Sequence, residues 1–205
     1  MGPAPKIIPA ALGFRVKSGW AMSVLLSGTV AAPQLLHCRS ILLSDPKEPA
    51  SKQPYHIALE LPEKEAAVIV RKLRRIVASA AKRSVTDLLN EAADAKLAVR
   101  SAALVVGSVV DPTSLHNDHI RAHAHEGQLF RGALHDAFRA HGIDCKVLVE
   151  KTAYASAATL LGKSPADAKR IVAALGDFHE GSWRAEEKLA ALAAWMSLSA
   201  RSSRD

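Results

Sequence analysis

The sequence predicts an α/β fold in which a mixed sheet, opened by a three-strand antiparallel meander and continued by parallel strands, is flanked by helices. Three observations predict it. Residues 7–43 read as three extended segments joined by short links at Gly19 and at Ala32-Pro33, the pattern of a meander. Beyond them, helical periodicity alternates with two short apolar runs, Ala102-Ala103-Leu104-Val105-Val106 and Cys145-Lys146-Val147-Leu148. Such alternation builds a sheet covered by helices. The chain has 205 residues, 49% hydrophobic and 23% charged, which is the balance of one folded domain with a sizeable core; aromatics at 4% leave that core to aliphatic side chains.

Each element follows from local chemistry. Ile7 to Lys17 is apolar and extended, and Trp20 to Gly28 follows the break at Gly19. Leu35 to Leu43 ends at Ser44-Asp45-Pro46, and the proline-rich residues 45–54 read as a surface loop. Tyr55 to Leu61 reads as a short extended piece. Pro62 and the acidic Glu63 and Glu65 start a helix, with Ala66, Val70, Leu73 and Val77 at helical spacing. Ser84 reads as the cap of a second helix over residues 85–96. The run at 102–106, closed by Asp111-Pro112, has the continuous apolar character of a buried central strand. Asn117 or Asp118 caps a helix that Gly142 stops; residues 144–150 form another strand; helices follow at 152–161, from Ser164-Pro165 to Gly176, and from a Ser182 cap to about Ser199. The core spans about residues 8–198, with short disordered tails expected on either side.

Bulk chemistry bounds the function. The net charge of +7 favours polyanions such as nucleic acid. Cys38 and Cys145 sit in apolar runs without a CxxC spacing, which suits buried free thiols in a reducing, cytoplasmic setting rather than a cysteine zinc site. Pro9, Arg15 and Lys17 interrupt the N-terminal apolar stretch, so no signal peptide is expected, and no uncharged apolar run is long enough for a membrane span.

The order β-β-β-α-β-α-β-α-α resembles the ribonuclease-H-like superfamily, and local detail resembles the RuvC-type Holliday-junction resolvases. Ala11-Leu12-Gly13-Phe14-Arg15-Val16 resembles that family's opening strand and Gly19-Trp20-Ala21 the start of its second. Leu129-Phe130-Arg131-Gly132-Ala133-Leu134 resembles the helix after the central strand, and Gly142-Ile143-Asp144-Cys145-Lys146-Val147 the strand that follows it. Lys163 to Lys169 and Glu187 to Ala193 resemble the later helices. The resemblance implies a ribonuclease-H-like fold over residues 8–198 and, in active members, an endonuclease using divalent metals.

The same resemblance implies that the usual chemistry is missing. Two hard divalent ions bridged by carboxylates activate water and stabilise the leaving oxygen. Where the family has an opening-strand Asp, this chain has Arg15; where the central strand ends in Glu, it has Gly107 or Ser108. Only Glu186 and Glu187 remain as candidate catalytic acids on the last helix. The expectation is a degenerate relative with no cofactor, which would need a divalent metal ion only if it were active.

Two other constellations are candidates. His116, His119, His123 and Glu126 form the densest cluster of metal-ligating types; His119 and His123 share a helix face, and the spacing suits zinc. The plainer reading is a polar helix start. Arg71, Lys72, Arg74, Arg75, Lys82 and Arg83, with Arg15 and Lys17, are candidates for phosphate contact, set against a solvated helix face. No aromatic interleaves with the basic cluster, so base stacking is not expected. Gln53-Pro54-Tyr55-His56 is unusual for a loop: it either lines a site or, the favoured reading, is pinned to the sheet by Tyr55. No Gly-x-Ser-x-Gly elbow or phosphate loop is present.

The leading expectation is therefore a catalytically degenerate, ribonuclease-H-like protein that binds DNA, RNA or a nucleic-acid-processing partner. The alternatives are a divergent metal-dependent nuclease using the histidine cluster and Glu187, and an interaction scaffold without nucleic acid. A homodimer stays open, and no membrane partner is expected.

Overall fold

The computed structural model describes residues 7–199. The tails expected at residues 1–6 and 200–205 lie outside the described residues. Five strands form one sheet in the order β3-β2-β1-β4-β5. These are β1 (Ile8–Lys17), β2 (Trp20–Gly28), β3 (Pro33–Leu42), β4 (Leu97–Val106) and β5 (Asp144–Val149). The meander pairs antiparallel, while β4 runs parallel to both β1 and β5. The carboxyl ends of β1, β4 and β5 therefore open on the same edge of the sheet.

The helices are α1 (Pro54–Ala58), α2 (Glu63–Asp94), α3 (Asp118–Ala140), α4 (Glu150–Leu161), α5 (Pro165–Ala174) and α6 (Ala185–Leu198). On one face of the sheet, Leu12, Phe14 and Val16 of β1 bury against Val77, Val85 and Leu88 of α2 and against Phe130, Leu134 and Phe138 of α3. On the other face, Val24, Leu26, Ala103 and Val105 bury against α4, α5 and α6. Alternation along each strand sends neighbouring side chains to opposite layers, which is why both faces of the central strands are apolar.

The innermost helix is α6, buried continuously from Leu189 to Ser197. Its alanines let its backbone settle directly on β1 at Gly13. A Cβ at that position would lie 2.1 Å from both the Ala190 carbonyl oxygen and the Ala194 amide nitrogen. Trp195 is fully buried, and its indole N–H donates to the Val30 carbonyl at 2.9 Å.

Three local expectations need correction. Residues 63–94 form one helix of 32 residues, not two. Neither Gly nor Pro interrupts that stretch, and Ser84 does not cap: its hydroxyl donates to the Leu42 carbonyl at 2.7 Å, tying the helix to β3. Tyr55 lies in a short helix rather than an extended piece, with Pro54 in the first position, where its missing N–H costs nothing. The last helix is capped through Glu187, whose carboxylate accepts the Arg184 backbone N–H at 2.8 Å, rather than by Ser182. Other expected boundaries hold. Asn117 accepts from the Ile120 amide, Ser164 accepts from the Asp167 amide, and Gly162 ends α4 with φ of 62°. Among the described residues, no helix is long and apolar enough to cross a membrane.

Candidate functional site

Open α/β sheets place ligands beyond the carboxyl ends of their strands. Here that edge carries a cleft of about 320 Å³, lined by Arg15 and Lys17 at the end of β1 and Ser18 after it, by Gly107 and Ser108 after β4, and by His123, Gly127 and Arg131 of α3. Two of its cations are matched by carboxylates. Arg15 is buried at the end of β1; its guanidinium pairs with Glu150, the first residue of α4, and donates to the Val16 carbonyl at 3.1 Å. Lys17 pairs with Glu186 at 3.1 Å. The Lys17 ammonium holds the Glu186 carboxyl below the usual carboxylate range, and the Arg15 guanidinium adds to that. Glu187 is buried and occupied in capping α6. Both acids of the last helix thus answer to cations or to backbone.

A second group borders the cleft through His123. His56 comes from α1, His119 and His123 from successive turns of α3, and one ring nitrogen from each lies within 4.8 Å of the other two. The His119 and His123 Nε2 atoms are 3.2 Å apart. His56 Nδ1 lies 2.8 Å from Oε1 of Glu126, a carboxylate with no solvent exposure, and the His56 backbone N–H donates to the same oxygen. Among the described residues, His56 Nε2 and Glu126 Oε2 are both buried without a hydrogen-bond partner. Burial, with His56 and His119 nearby, lowers the His123 pKa.

The far side of α3 forms the third feature. A groove of about 830 Å³ between α2 and α3 is lined by Arg71, Arg74, Arg75, Tyr55, His125 and Gln128, with Asp136 also on its wall. Position 71 is one helical turn from both 74 and 75, so α2 presents the three guanidiniums to one groove. The Tyr55 and His125 rings stack at 4.7 Å and 16°. Burial first, then the Arg121 and Arg74 guanidiniums, hold the His125 imidazole below its usual pKa. The groove's fixed positive charge is that of its arginines. Among the described residues none of these three arginines takes part in an ion pair.

No family model matches the chain, and no curated protein matches it by sequence. Solved structures do match. The Thermus thermophilus RuvC structure superposes with a TM-score of 0.55 at 13% identity, over 91% of this chain and 92% of that one. T. thermophilus RuvC in complex with Holliday junction substrate superposes with a TM-score of 0.54 at 12% identity, over 91% and 90%. The chain has the RuvC fold. The mixed sheet of three antiparallel and then parallel strands, flanked by helices, is the ribonuclease-H-like architecture. The superposition shows the fold, and identity this low assigns no residue.

Within this RuvC fold the sequence candidates separate. Arg15, Lys17 and Glu186 meet at the strand ends. His119 and His123 meet each other and His56, while His116 is exposed and lies outside that group. Glu126 backs His56 instead of joining the three nitrogens. Arg71, Arg74 and Arg75 share the groove; Lys72 pairs with Glu48, and Arg83 donates to Ser79 on its own helix. Lys82 is exposed and does not line the groove.

Sequence reasoning noted the Tyr55-His56 segment but did not join His56 to the histidine group, and it missed the Tyr55–His125 stack. Tyr55 pins its segment to α3, not to the sheet, and brings an aromatic ring beside the basic cluster. The signal available was Tyr-His inside a proline-rich stretch. Its partner Glu126 lies 70 positions away, and no local pattern reports such a pairing.

Proposed function

We propose that the protein binds nucleic acid through the groove between α2 and α3, and that it does not cleave by the carboxylate-held two-metal route. One observation carries the binding: three guanidiniums, with no ion pair among the described residues, and a stacked Tyr55–His125 pair line a single groove. Guanidiniums pair with phosphate oxygens, and an aromatic face accepts a base of any sequence. The fold supports the same direction, since a solved structure of this fold holds a Holliday junction.

The loss of cleavage follows from charge. A divalent ion at the strand ends would have to displace Arg15 and Lys17 from the carboxylates they neutralise. A buried guanidinium also repels the ion directly.

The test is a binding titration of labelled four-way junction, duplex and single strand, at several salt concentrations. Each phosphate contact contributes about 0.9 to the log–log salt slope on duplex DNA, so replacing Arg71, Arg74 and Arg75 by Gln should reduce the slope by up to about 2.7. The junction should stay intact with magnesium or manganese. An unchanged slope, or no binding at low salt, would refute the groove; magnesium-dependent cleavage would refute the degenerate cleft.

A further inference from the structure

We infer that His56, His119 and His123 form a binding site for one divalent ion of the zinc class, with Glu126 as the carboxylate that orients His56. The geometry comes first. A tetrahedral zinc ion holds imidazole nitrogens at about 2.0–2.1 Å, which sets neighbouring nitrogens about 3.3–3.4 Å apart. His119 Nε2 and His123 Nε2 already stand 3.2 Å apart, one helical turn from each other on α3. The third nitrogen arrives from α1, and all three lie within 4.8 Å, so closing on an ion needs only small rotations of side chains.

The second observation is independent of that distance. Glu126 lies 2.8 Å from Nδ1 of His56, and a neutral imidazole that donates from Nδ1 carries its lone pair on Nε2. That Nε2 is buried and has no hydrogen-bond partner among the described residues, and neither has Glu126 Oε2. A hydrogen bond between His119 and His123 alone would explain their approach and leave both buried atoms unsatisfied. An ion on His56 Nε2 satisfies the imidazole directly and supplies a positive charge one ring away from a fully buried carboxylate. Metal-binding histidines ordinarily donate their other nitrogen to a carboxylate in this way.

The donor set selects the ion. Three neutral imidazoles suit zinc, cobalt, nickel or copper and are poor ligands for magnesium, which prefers hard oxygens. Three protein ligands leave a fourth position open. His119 and His123 are exposed, and His123 lines the cleft that also holds Arg15 and Lys17. The fourth ligand is therefore water or an oxygen anion entering from that cleft. This site stands apart from the nucleic-acid reading and is tested without any nucleic acid.

The experiment titrates the full chain, carrying no added histidine tag, with zinc chloride by calorimetry, and follows cobalt substitution by its visible absorption. One ion per chain should bind, with the cobalt spectrum of a tetrahedral site. His119→Ala and His123→Ala should each abolish binding, Glu126→Gln should weaken it by about 10- to 100-fold, and His116→Ala should leave it unchanged. Because His119 is exposed, His119→Ala should keep the wild-type melting temperature in the absence of metal, so its result stands even if a buried variant fails to fold. Absence of stoichiometric zinc binding, binding undiminished in His119→Ala, or equal losses in His116→Ala and His119→Ala would overturn the site.

Discussion

The ion pair between Arg15 and Glu150 makes an asymmetric prediction. The side chain of Arg15 is 7% exposed and that of Glu150 is 44% exposed. Glu150→Ala strips the anion from a guanidinium that keeps only the Val16 carbonyl at 3.1 Å and a long contact to the Val105 carbonyl, and whose Nε already lacks a partner. Removing one member of a buried pair costs about 3–5 kcal/mol. The half-open Glu150 side lets water replace part of the lost interaction, which brings the expected loss to about 2 kcal/mol. Arg15→Met removes the buried charge instead and keeps an apolar stem of similar length. Glu150 then returns to solvent, and the loss should be about 1 kcal/mol or less. The double variant should match Arg15→Met within about 0.5 kcal/mol, since Glu150 has little left to interact with. Urea unfolding of the four proteins measures this, provided the m-value stays constant. A Glu150→Ala variant no less stable than Arg15→Met would refute the premise that the buried Arg15 guanidinium depends on the Glu150 carboxylate.

Two further predictions probe the packing beneath the site. Gly13→Ala should destabilise by about 3 kcal/mol or more, the upper end for overpacking, because the new methyl meets the backbone of α6 and no side chain can move aside. Gly107→Ala, where an added Cβ meets nothing within 4 Å, should stay within about 0.5 kcal/mol of wild type by the same urea assay; equal midpoints for the two variants would contradict the close approach of α6 to β1. Burial pushes the Cys145 thiol up to about 12, so it should resist alkylation at pH 8. The unfolded thiol ionises at lower pH, so the folded state loses stability as pH rises from the ordinary thiol range towards that value, by up to about 1.4 kcal/mol per unit. Below that range the contribution is flat. Comparing urea midpoints of wild type and Cys145→Ala from pH 7 to 10.5 tests the sign; parallel curves would refute it.

How much of this was legible follows from the range of each signal. The sheet was readable because its evidence is local: the apolar run at 102–106 and the turns at Gly19 and Ala32-Pro33 declare themselves within ten residues. The single long α2 was not, because Ser84 carries the chemistry of a cap, and only its bond to Leu42, 42 positions away, reveals a different use. The two site readings divide along the same line. Arg71, Arg74 and Arg75 come together through helical spacing, as do His119 and His123. His56, Tyr55 and the backing role of Glu126 require α1 to fold against α3, a tertiary event without a sequence period. One five-residue helix therefore serves two features at once. Tyr55 turns to the basic groove and His56, its neighbour, to the histidine group, on opposite flanks of α3. A ligand that ordered α1 in either place would pre-organise it for the other. If both readings hold, zinc should tighten nucleic-acid binding, and by linkage nucleic acid should tighten zinc binding by the same factor.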